Sequence, residues 1–257
     1  MTGIRGVLFD IDGVLVTSWH PIGGAADALI QLSGLPRAFL TNTTSSTRSD
    51  IAQKLTDCGM SVDVDEVLTA GSLTAEYLKS HHAGARCWIL NSGSIDEDFA
   101  GIELTDDTSP DVVVLGGAGP EFSHLALSRV AELMLDGIPV IAMHRARTWM
   151  TTEGLRLDVG GYLPGLEEAG NAAIPAIGKP STTAFETAAG VLGVPIDSVL
   201  MIGDDVEADV QAAQKAGLIG VLVRTGKYRV CLAREANPQP DYIIDSIAQL
   251  PDLIAEL

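Results

Sequence analysis

The sequence has few cysteines, few basic residues and no long hydrophobic run, and each shortage excludes a class of protein. Cys58, Cys87 and Cys231 are odd in number and widely spaced, which indicates free thiols in a reducing compartment. No apolar run approaches about 18 residues, so no membrane-spanning helix is expected. Asp10 and Asp12 interrupt the amino-terminal hydrophobic stretch, unlike a signal peptide. We therefore expect a soluble cytoplasmic protein.

Positive charge is scarce, since 16 Lys and Arg residues face 34 Asp and Glu residues, for a formal net charge of -18. This balance argues against nucleic acid and against acidic membrane surfaces as partners. An anionic substrate would need local positive charge from a cation or from selected Lys and Arg residues, and a divalent metal is the more economical source. Because 46% of its 257 residues are hydrophobic, the chain can bury the core of one large domain or two small ones.

Apolar runs alternate with helical patterns, which is typical of βαβ units around a parallel sheet. Helices are predicted over 47–58, with Ser46 as N-cap and Gly59 as C-cap, over 181–192 before Gly193, and over 208–216. Strands are predicted near residues 4–10, 37–41, 85–90, 111–115, 138–143, 198–202, 219–223 and 241–244.

Two acidic clusters each follow an apolar strand. Asp10 and Asp12 follow residues 7–9, and Asp204 follows residues 199–202. Carboxylates just past buried parallel strands lie at the rim where open α/β sheets bind ligands. Mg²⁺ takes one or two carboxylates and completes its shell with water and phosphate. The sequence therefore predicts that both rims converge on one Mg²⁺.

Asp10 is also a candidate nucleophile, because a carboxylate can attack phosphorus and form an aspartyl-phosphate. Gly13 lets the chain turn, so that Asp12 can reach the leaving group as general acid and later as base.

Phosphoryl transfer also needs hydroxyl, amide and cationic partners, which Thr41, Asn42 and Lys179 can supply. The alternative for the polar run at 41–47 is a loop with a helix cap, and the alternative for Lys179 is a solvated charge. Asp205 and Asp209 either complement the positive end of the next helix or support Lys179 or a metal-bound water.

Four segments, quoted in one-letter code, resemble the four motifs of haloacid-dehalogenase-superfamily phosphatases in order and strand context. They are DIDGV at 10–14, TN at 41–42, GKP at 178–180 and GDDVEAD at 203–209. The chain is similar throughout to the nitrophenylphosphatase-like subgroup, NagD among them. Segments 41–44, 136–139, 201–205 and 225–228 look closest to phospholysine phosphohistidine inorganic pyrophosphate phosphatases.

The resemblance implies a Rossmann-like, doubly wound α/β core at 1–81 and 175–257, with an inserted smaller α/β cap of class II-A at 82–174. It also implies Asp10 as nucleophile, Asp12 as acid/base, and Asp12, Gly13, Thr41, Asn42 and Lys179 around the phosphoryl group. The Mg²⁺ ligands would be Asp10, Asp204 and the Asp12 carbonyl. The resemblance also implies a homodimer that forms through the cap.

The cap segment 144–149 departs from the Asn- or Asp-containing specificity loop of related pyridoxal-phosphate and nucleotide phosphatases. We hypothesise that His144 or Arg147 contacts the leaving group, because positive residues concentrate there in an acidic chain. The alternative is a solvated loop in which His144, Arg145 and Arg147 form salt bridges.

The favoured function is a Mg²⁺-dependent phosphatase for a small phosphorylated metabolite, whether a phosphoester, a phosphoramidate or pyrophosphate. A phosphotransferase or phosphomutase could use the same site. A catalytically inactive phosphate-binding protein also stays open, since a fold does not establish activity. Dehalogenation would not need Asp12 or Asp204, and a receiver-like signalling module fits the motif order and length poorly.

Overall fold

The computed structural model describes residues 3–151 and 154–257. The strands in chain order are β1 Gly6–Phe9, β2 Val16–Thr17, β3 His20–Pro21, β4 Arg37–Thr41, β5 Val67–Thr69, β6 Cys87–Leu90, β7 Val112–Leu115, β8 Val140–Ala142, β9 Thr148–Thr151, β10 Gly154–Leu157, β11 Val199–Gly203, β12 Ile219–Val223 and β13 Tyr242–Ile244. The α-helices are α1 Ala25–Gln31, α2 Arg48–Asp57, α3 Ala70–His81, α4 His124–Leu135, α5 Val159–Gly170, α6 Thr182–Leu192, α7 Ala212–Ala216, α8 Val230–Glu235 and α9 Leu250–Glu256. No helix within these described residues is long and apolar enough to cross a bilayer.

All eight predicted strands are confirmed, as are the helices that become α2 and α6. Gly59 and Gly193 adopt the left-handed backbone expected after those helices. The helix predicted over 208–216 is wrong in its start and its type. The chain forms a π-helix over Val206–Gln211 and only then continues as α7.

The first compact unit comprises Met1–Thr41, Arg48–Leu68 and Lys179–Leu257. Within the described residues its six-stranded sheet has the order β13-β12-β11-β1-β4-β5. β1 pairs in parallel with both β4 and β11, and β12 pairs in parallel with β11 and β13. Successive strands therefore move outward from β1 in both directions. β1 marks the topological switch point, where doubly wound sheets bind ligands at their carboxyl ends.

All four residues of β1 are buried, as expected for a parallel strand that is covered on both faces. Phe9 stacks on Phe39 of β4 with ring centroids 5.6 Å apart. Burial of such a side chain contributes about 1.5–3 kcal/mol, so the switch point lies in the stable core of this unit.

The second compact unit comprises Asn42–Thr47 and Thr69–Gly178. In its described part a parallel sheet has the order β6-β7-β8, and β9 and β10 form an antiparallel hairpin. Val130 of α4 and Leu163 of α5 join the core formed with Val113 and Leu115 of β7. The expected α/β class, a doubly wound core with a smaller α/β insertion, is confirmed. The cap boundaries at 82–174 come from the family layout and stay a prediction.

Candidate active site

The end of β1 lies beside the ends of its two neighbours. Phe9 pairs with Ile202 of β11, and the Asp10 backbone N–H donates to the Ile202 carbonyl at 2.8 Å. Asp10 is therefore one residue past this pair on β1, and Asp204 is two residues past it on β11. Thr41 ends β4 on the other side of β1 and is buried. The parallel pairing brings three residues that are distant in sequence to one edge of the sheet.

Lys179 lies between two buried carboxylates. Its Nζ donates to Asp10 Oδ1 and to Asp209 Oδ1, at 2.6 Å in both cases. All three side chains are buried, where charge-assisted hydrogen bonds are short and strong. Burial lowers the pKa of Lys179, but Asp10 and Asp209 together outweigh it and raise this pKa above its ordinary value. The ammonium group therefore stays charged at neutral pH.

The Asp204 carboxylate is enclosed by two loops. A Cβ on Gly13 or on Gly226 would come within 2.0 Å of Asp204 Oδ2, and both glycines have a left-handed backbone. The Lys227 backbone N–H donates to Asp204 Oδ2 at 2.7 Å. The Thr225 hydroxyl donates to the Gly13 carbonyl and joins the two loops. Only glycine leaves room for the carboxylate on either side.

Three carboxylates converge here, because Asp10, Asp204 and Asp209 each place one oxygen within 4.8 Å of the other two. Asp204 Oδ1 is buried and has no hydrogen-bond donor among residues 3–151 and 154–257. Burial raises the pKa of Asp10, and it raises the pKa of Asp204 and of Asp209 to about 6 in each case. An oxygen-seeking divalent cation fits this cluster, since it would offset the excess negative charge and give Asp204 Oδ1 a partner.

Asp12 is accessible to solvent. Enough protein nevertheless surrounds its carboxylate for desolvation to raise its pKa, against the opposing effect of Lys227 and Lys179. A raised pKa favours the protonated form that a general acid needs. The role of Asp12 stays a prediction.

Asp205 and Asp209 have different surroundings. Asp205 Oδ1 accepts from the Glu207 N–H at 3.1 Å and from the Ala208 N–H at 3.0 Å, which confirms the helix-terminal interpretation for Asp205. Asp209 Oδ2 accepts from the Asp205 N–H at 3.2 Å, while its Oδ1 binds Lys179. Gly203 makes room for this buried acid, since a Cβ there would lie 2.2 Å from the Asp209 Cβ.

Asn42, His144 and Arg147 belong to the second unit. The solvated-loop interpretation is wrong for His144, which is only 2% exposed. Its Nδ1 accepts from the Ala146 N–H at 3.2 Å, and its Nε2 lies 3.8 Å from Asp158 Oδ2. Arg147 is exposed, and contact of His144 or Arg147 with a leaving group stays a prediction.

Arg145 follows the salt-bridge alternative. Its Nη2 lies 3.0 Å from Glu167 Oε2 at the surface of the second unit. Such an exposed pair contributes little to stability, about 0–1 kcal/mol.

Sequence reasoning missed the contribution of residues 225–227 to this site. The segment resembled a subgroup, but nothing in it predicted contact with Asp204. Lys227 adds a second cation, because Asp204 and Asp10 raise its pKa against the effect of burial. The position of the segment was the one clue to this contact, because residues 225–227 follow β12, the strand next to β11.

A doubly wound sheet that gathers three carboxylates and a lysine at its switch point is typical of α/β enzymes, which bind their ligands at that edge. Family comparison agrees with this class. Residues 7–105 match the model for haloacid dehalogenase-like hydrolases, and residues 176–250 match the HAD-hydrolase-like model. The chain belongs to the haloacid dehalogenase-like hydrolase family.

Relatives match along nearly the whole chain. Human haloacid dehalogenase-like hydrolase domain-containing protein 2 is 34% identical over 98% of this chain and 96% of its own length. The phospholysine phosphohistidine inorganic pyrophosphate phosphatase of Xenopus laevis is 34% identical over 98% of this chain and 95% of its own.

Solved structures agree in fold. A 4-nitrophenylphosphatase from Thermotoga maritima has a TM-score of 0.90 at 25% identity and covers 98% of both chains. NagD from Escherichia coli K-12 has a TM-score of 0.87 at 26% identity, over 96% of this chain and 98% of its own.

Proposed function

We propose that this protein is a Mg²⁺-dependent phosphatase that hydrolyses a small phosphorylated metabolite through an aspartyl-phosphate on Asp10. The observation that supports it best is the cluster at the switch point. The buried Asp10 carboxylate binds the Lys179 ammonium group, and one buried oxygen of the neighbouring Asp204 has no donor among the residues that the structure describes. This combination suits a phosphoryl group that arrives with a cation.

In the first step an Asp10 carboxylate oxygen attacks phosphorus, and the bond from phosphorus to the leaving group breaks. Asp12 gives its proton to the leaving atom, which is oxygen in an ester or in pyrophosphate and nitrogen in a phosphoramidate. In the second step Asp12 takes a proton from water, and that water oxygen attacks the aspartyl-phosphate. Inorganic phosphate leaves and Asp10 is restored as a carboxylate.

Lys179 keeps Asp10 in place through its 2.6 Å hydrogen bond and opposes charge on the phosphoryl oxygens. Asp10, Asp204 and the Asp12 carbonyl would hold Mg²⁺, with Asp209 close enough to contribute. When bound, Mg²⁺ supplies electrostatic stabilisation of the phosphoryl oxygens. Thr41 and Asn42, at the end of β4 and directly after it, are proposed to donate to those oxygens.

The names of similar proteins define the substrates to examine first. Relatives called phospholysine phosphohistidine inorganic pyrophosphate phosphatases suggest P–N and P–O–P bonds, and 4-nitrophenylphosphatases suggest aryl esters. The homodimer through the cap stays a prediction.

The test is phosphate release from 4-nitrophenyl phosphate, phosphohistidine, phospholysine and pyrophosphate, with and without MgCl₂. The native protein should release phosphate from at least one class only when metal is present. Asp10→Asn should lower kcat by at least about a thousandfold, as expected for loss of a nucleophile. Asp197→Asn is the matched control, since Asp197 is exposed, and it should retain native activity.

Ordinary activity in folded Asp10→Asn would contradict the nucleophile assignment. Absence of phosphate release across the panel from folded, metal-supplied protein would favour the inactive binding protein. Transfer of phosphate to an added alcohol in preference to water would favour the phosphotransferase. Trapping of phosphorylated Asp10 by mass spectrometry supports the covalent step directly.

A further inference from the structure

The segment 42–47, which continues directly from Thr41, is packed against strand ends of the second unit. Its neighbours are the loop 91–93, which follows β6, and the loop 116–119, which follows β7. Thr44 is buried there, at only 6% exposure. Parallel α/β sheets usually bind ligands at these carboxyl ends. In this unit, the chain itself takes up that edge.

Asn91 connects the three segments. Its Nδ2 donates to the Thr44 carbonyl at 3.0 Å and to the Gly93 carbonyl at 3.2 Å. Its Oδ1 accepts from the Gly117 N–H at 2.7 Å. Two carbonyl oxygens on one side and one N–H on the other determine the orientation of this amide. An aspartate of the same size would lose both donated hydrogen bonds, and a leucine would lose all three.

Two glycines allow the backbones to approach. A Cβ on Gly93 would lie 2.6 Å from the Ser45 Cα, and a Cβ on Gly117 would lie 2.4 Å from the Thr44 Oγ1. Both distances are shorter than van der Waals contact, so either side chain would push segment 42–47 away. The junction is therefore specific in shape as well as in hydrogen bonding.

We infer that Asn91 is a positioning residue, which anchors segment 42–47 to the strand ends of the second unit and thereby sets the course of the backbone at Asn42. The inference rests on the proposed function, in which Asn42 binds the phosphoryl group. An error of about 1 Å in such a residue lowers a rate by up to about a hundredfold, so an anchor at Thr44, two residues away, affects catalysis.

The experiment is a double-mutant cycle. Gly117→Ala places a methyl group against Thr44 Oγ1, and Thr44→Ala removes that atom, leaving the Thr44 Cβ at an ordinary 3.6 Å. Gly117→Ala alone should lower kcat/KM for 4-nitrophenyl phosphate about tenfold or more and raise the inhibition constant of inorganic phosphate. In the Thr44→Ala background the same change should alter both by less than about threefold.

Asn91→Asp provides a second variant. It keeps an acceptor for the Gly117 N–H but directs a carboxylate oxygen at the Thr44 and Gly93 carbonyls. It should also lower kcat/KM about tenfold or more. Gly165→Ala is the matched control, because a Cβ there has no neighbour within 4 Å, and it should retain native kinetics.

Hydrogen exchange of segment 42–47 measures anchoring without any turnover. Gly117→Ala and Asn91→Asp should lower protection there while leaving β6 and β7 protected, and Thr44→Ala should restore it for Gly117→Ala. Native kinetics in folded Gly117→Ala, or no rescue by Thr44→Ala, would overturn the inference. If native protein releases no phosphate, the proposed function fails, while unchanged exchange in both variants would refute the anchor itself.

Discussion

The two parallel sheets of this protein differ in what occupies their carboxyl ends. In the first unit, Asp10 and Asp204 lie at that edge, and Asp204 Oδ1 has no donor among the described residues. In the second, main-chain groups satisfy one another, as when the Ser92 N–H donates to the Gly117 carbonyl at 2.8 Å. The Met143 N–H likewise donates to the Leu115 carbonyl at 2.8 Å. The edge of the first sheet therefore suits a ligand, whereas segment 42–47 takes up the corresponding edge of the second.

The buried charges show the same difference. Asp158 of the second unit accepts from the Ala118 N–H at 3.0 Å and from the Val159 N–H at 2.7 Å, beside a buried His144. In the first unit three carboxylates converge, two of them bind one buried ammonium group, and burial raises the pKa of Asp204 and of Asp209 to about 6. Incomplete compensation of charge is typical of functional sites, whereas complete compensation is typical of structural ones.

The largest effect is expected from Lys179→Met. Asp10 and Asp209 would be left buried and close together, so the free energy of unfolding should fall by roughly 3–5 kcal/mol. The rate constant kcat should fall by at least about a thousandfold through loss of the cation. Denaturant unfolding and phosphate release measure the two effects.

The double variant Lys179→Met with Asp209→Asn separates the effect on stability from the effect on kcat. Removing the Asp209 charge should restore much of the stability but none of the activity. Lys215→Met, at an exposed position, is the control and should leave both properties unchanged. Native kcat in Lys179→Met would show that the ammonium group has only a structural role.

Gly13→Ala should have the next largest effect. Its φ is +85°, and a Cβ would come within 2.0 Å of Asp204 Oδ2, so the variant combines backbone strain with a collision at the proposed metal site. Gly137→Ala is the matched control, with a φ of +84° and no neighbour within 4 Å of the added Cβ. Both variants should lose about 1–2 kcal/mol of stability from left-handed strain.

Only Gly13→Ala should weaken Mg²⁺ affinity, because its Cβ would displace the Asp204 carboxylate. Changes that disturb the orientation of a metal-binding side chain typically lower metal affinity by roughly 10–100-fold. Isothermal titration with Mg²⁺ checks this difference. Equal affinity in the two variants would separate Gly13 from the cation site.

Sequence reasoning found the strands of the six-stranded and three-stranded sheets other than β5, because each is a local apolar run. It also found Asp10 and Asp204, since a strand end can be recognised without knowing the sheet order. It could not find Gly226 or Lys227, whose contact with Asp204 depends on β12 lying beside β11. Nor could it find the burial of His144, which arises from contacts with a distant acid, Asp158. Local sequence patterns predict helices, strands and their ends. Contacts between neighbouring strands can be predicted only once the order of the strands in the sheet is known.

Lys227→Gln should have a smaller effect on activity. The backbone N–H that supports Asp204 is retained, so the change removes only the ammonium group that lowers the pKa of Asp12 and of Asp204. We expect kcat/KM to fall roughly tenfold at low ionic strength, and by less in high salt, because screening weakens exposed charges. Steady-state kinetics at two salt concentrations measure this effect. Lys215→Gln should show neither the loss nor the salt dependence, and an equal loss at both concentrations would argue against an electrostatic role.

The smallest effect is expected on the pH dependence of stability, through the buried His144 of the second unit. Burial lowers the pKa of His144, with Asp158 opposing it, so the unfolded chain binds this proton more readily than the folded protein does. Its contribution to stability is therefore complete above about pH 6.5, the ordinary histidine value, and declines as the pH falls below it.

His144→Asn keeps an acceptor for the Ala146 N–H but cannot titrate. The buried acids of the first unit act in the opposite direction, because raised carboxylate pKa values favour the folded state at low pH. Denaturant unfolding from pH 7 to pH 5 should therefore show the variant losing less stability than native protein. His20→Asn, at an exposed position, should follow the native slope. Parallel slopes for native protein and His144→Asn would show that the folded protein does not resist protonation of His144.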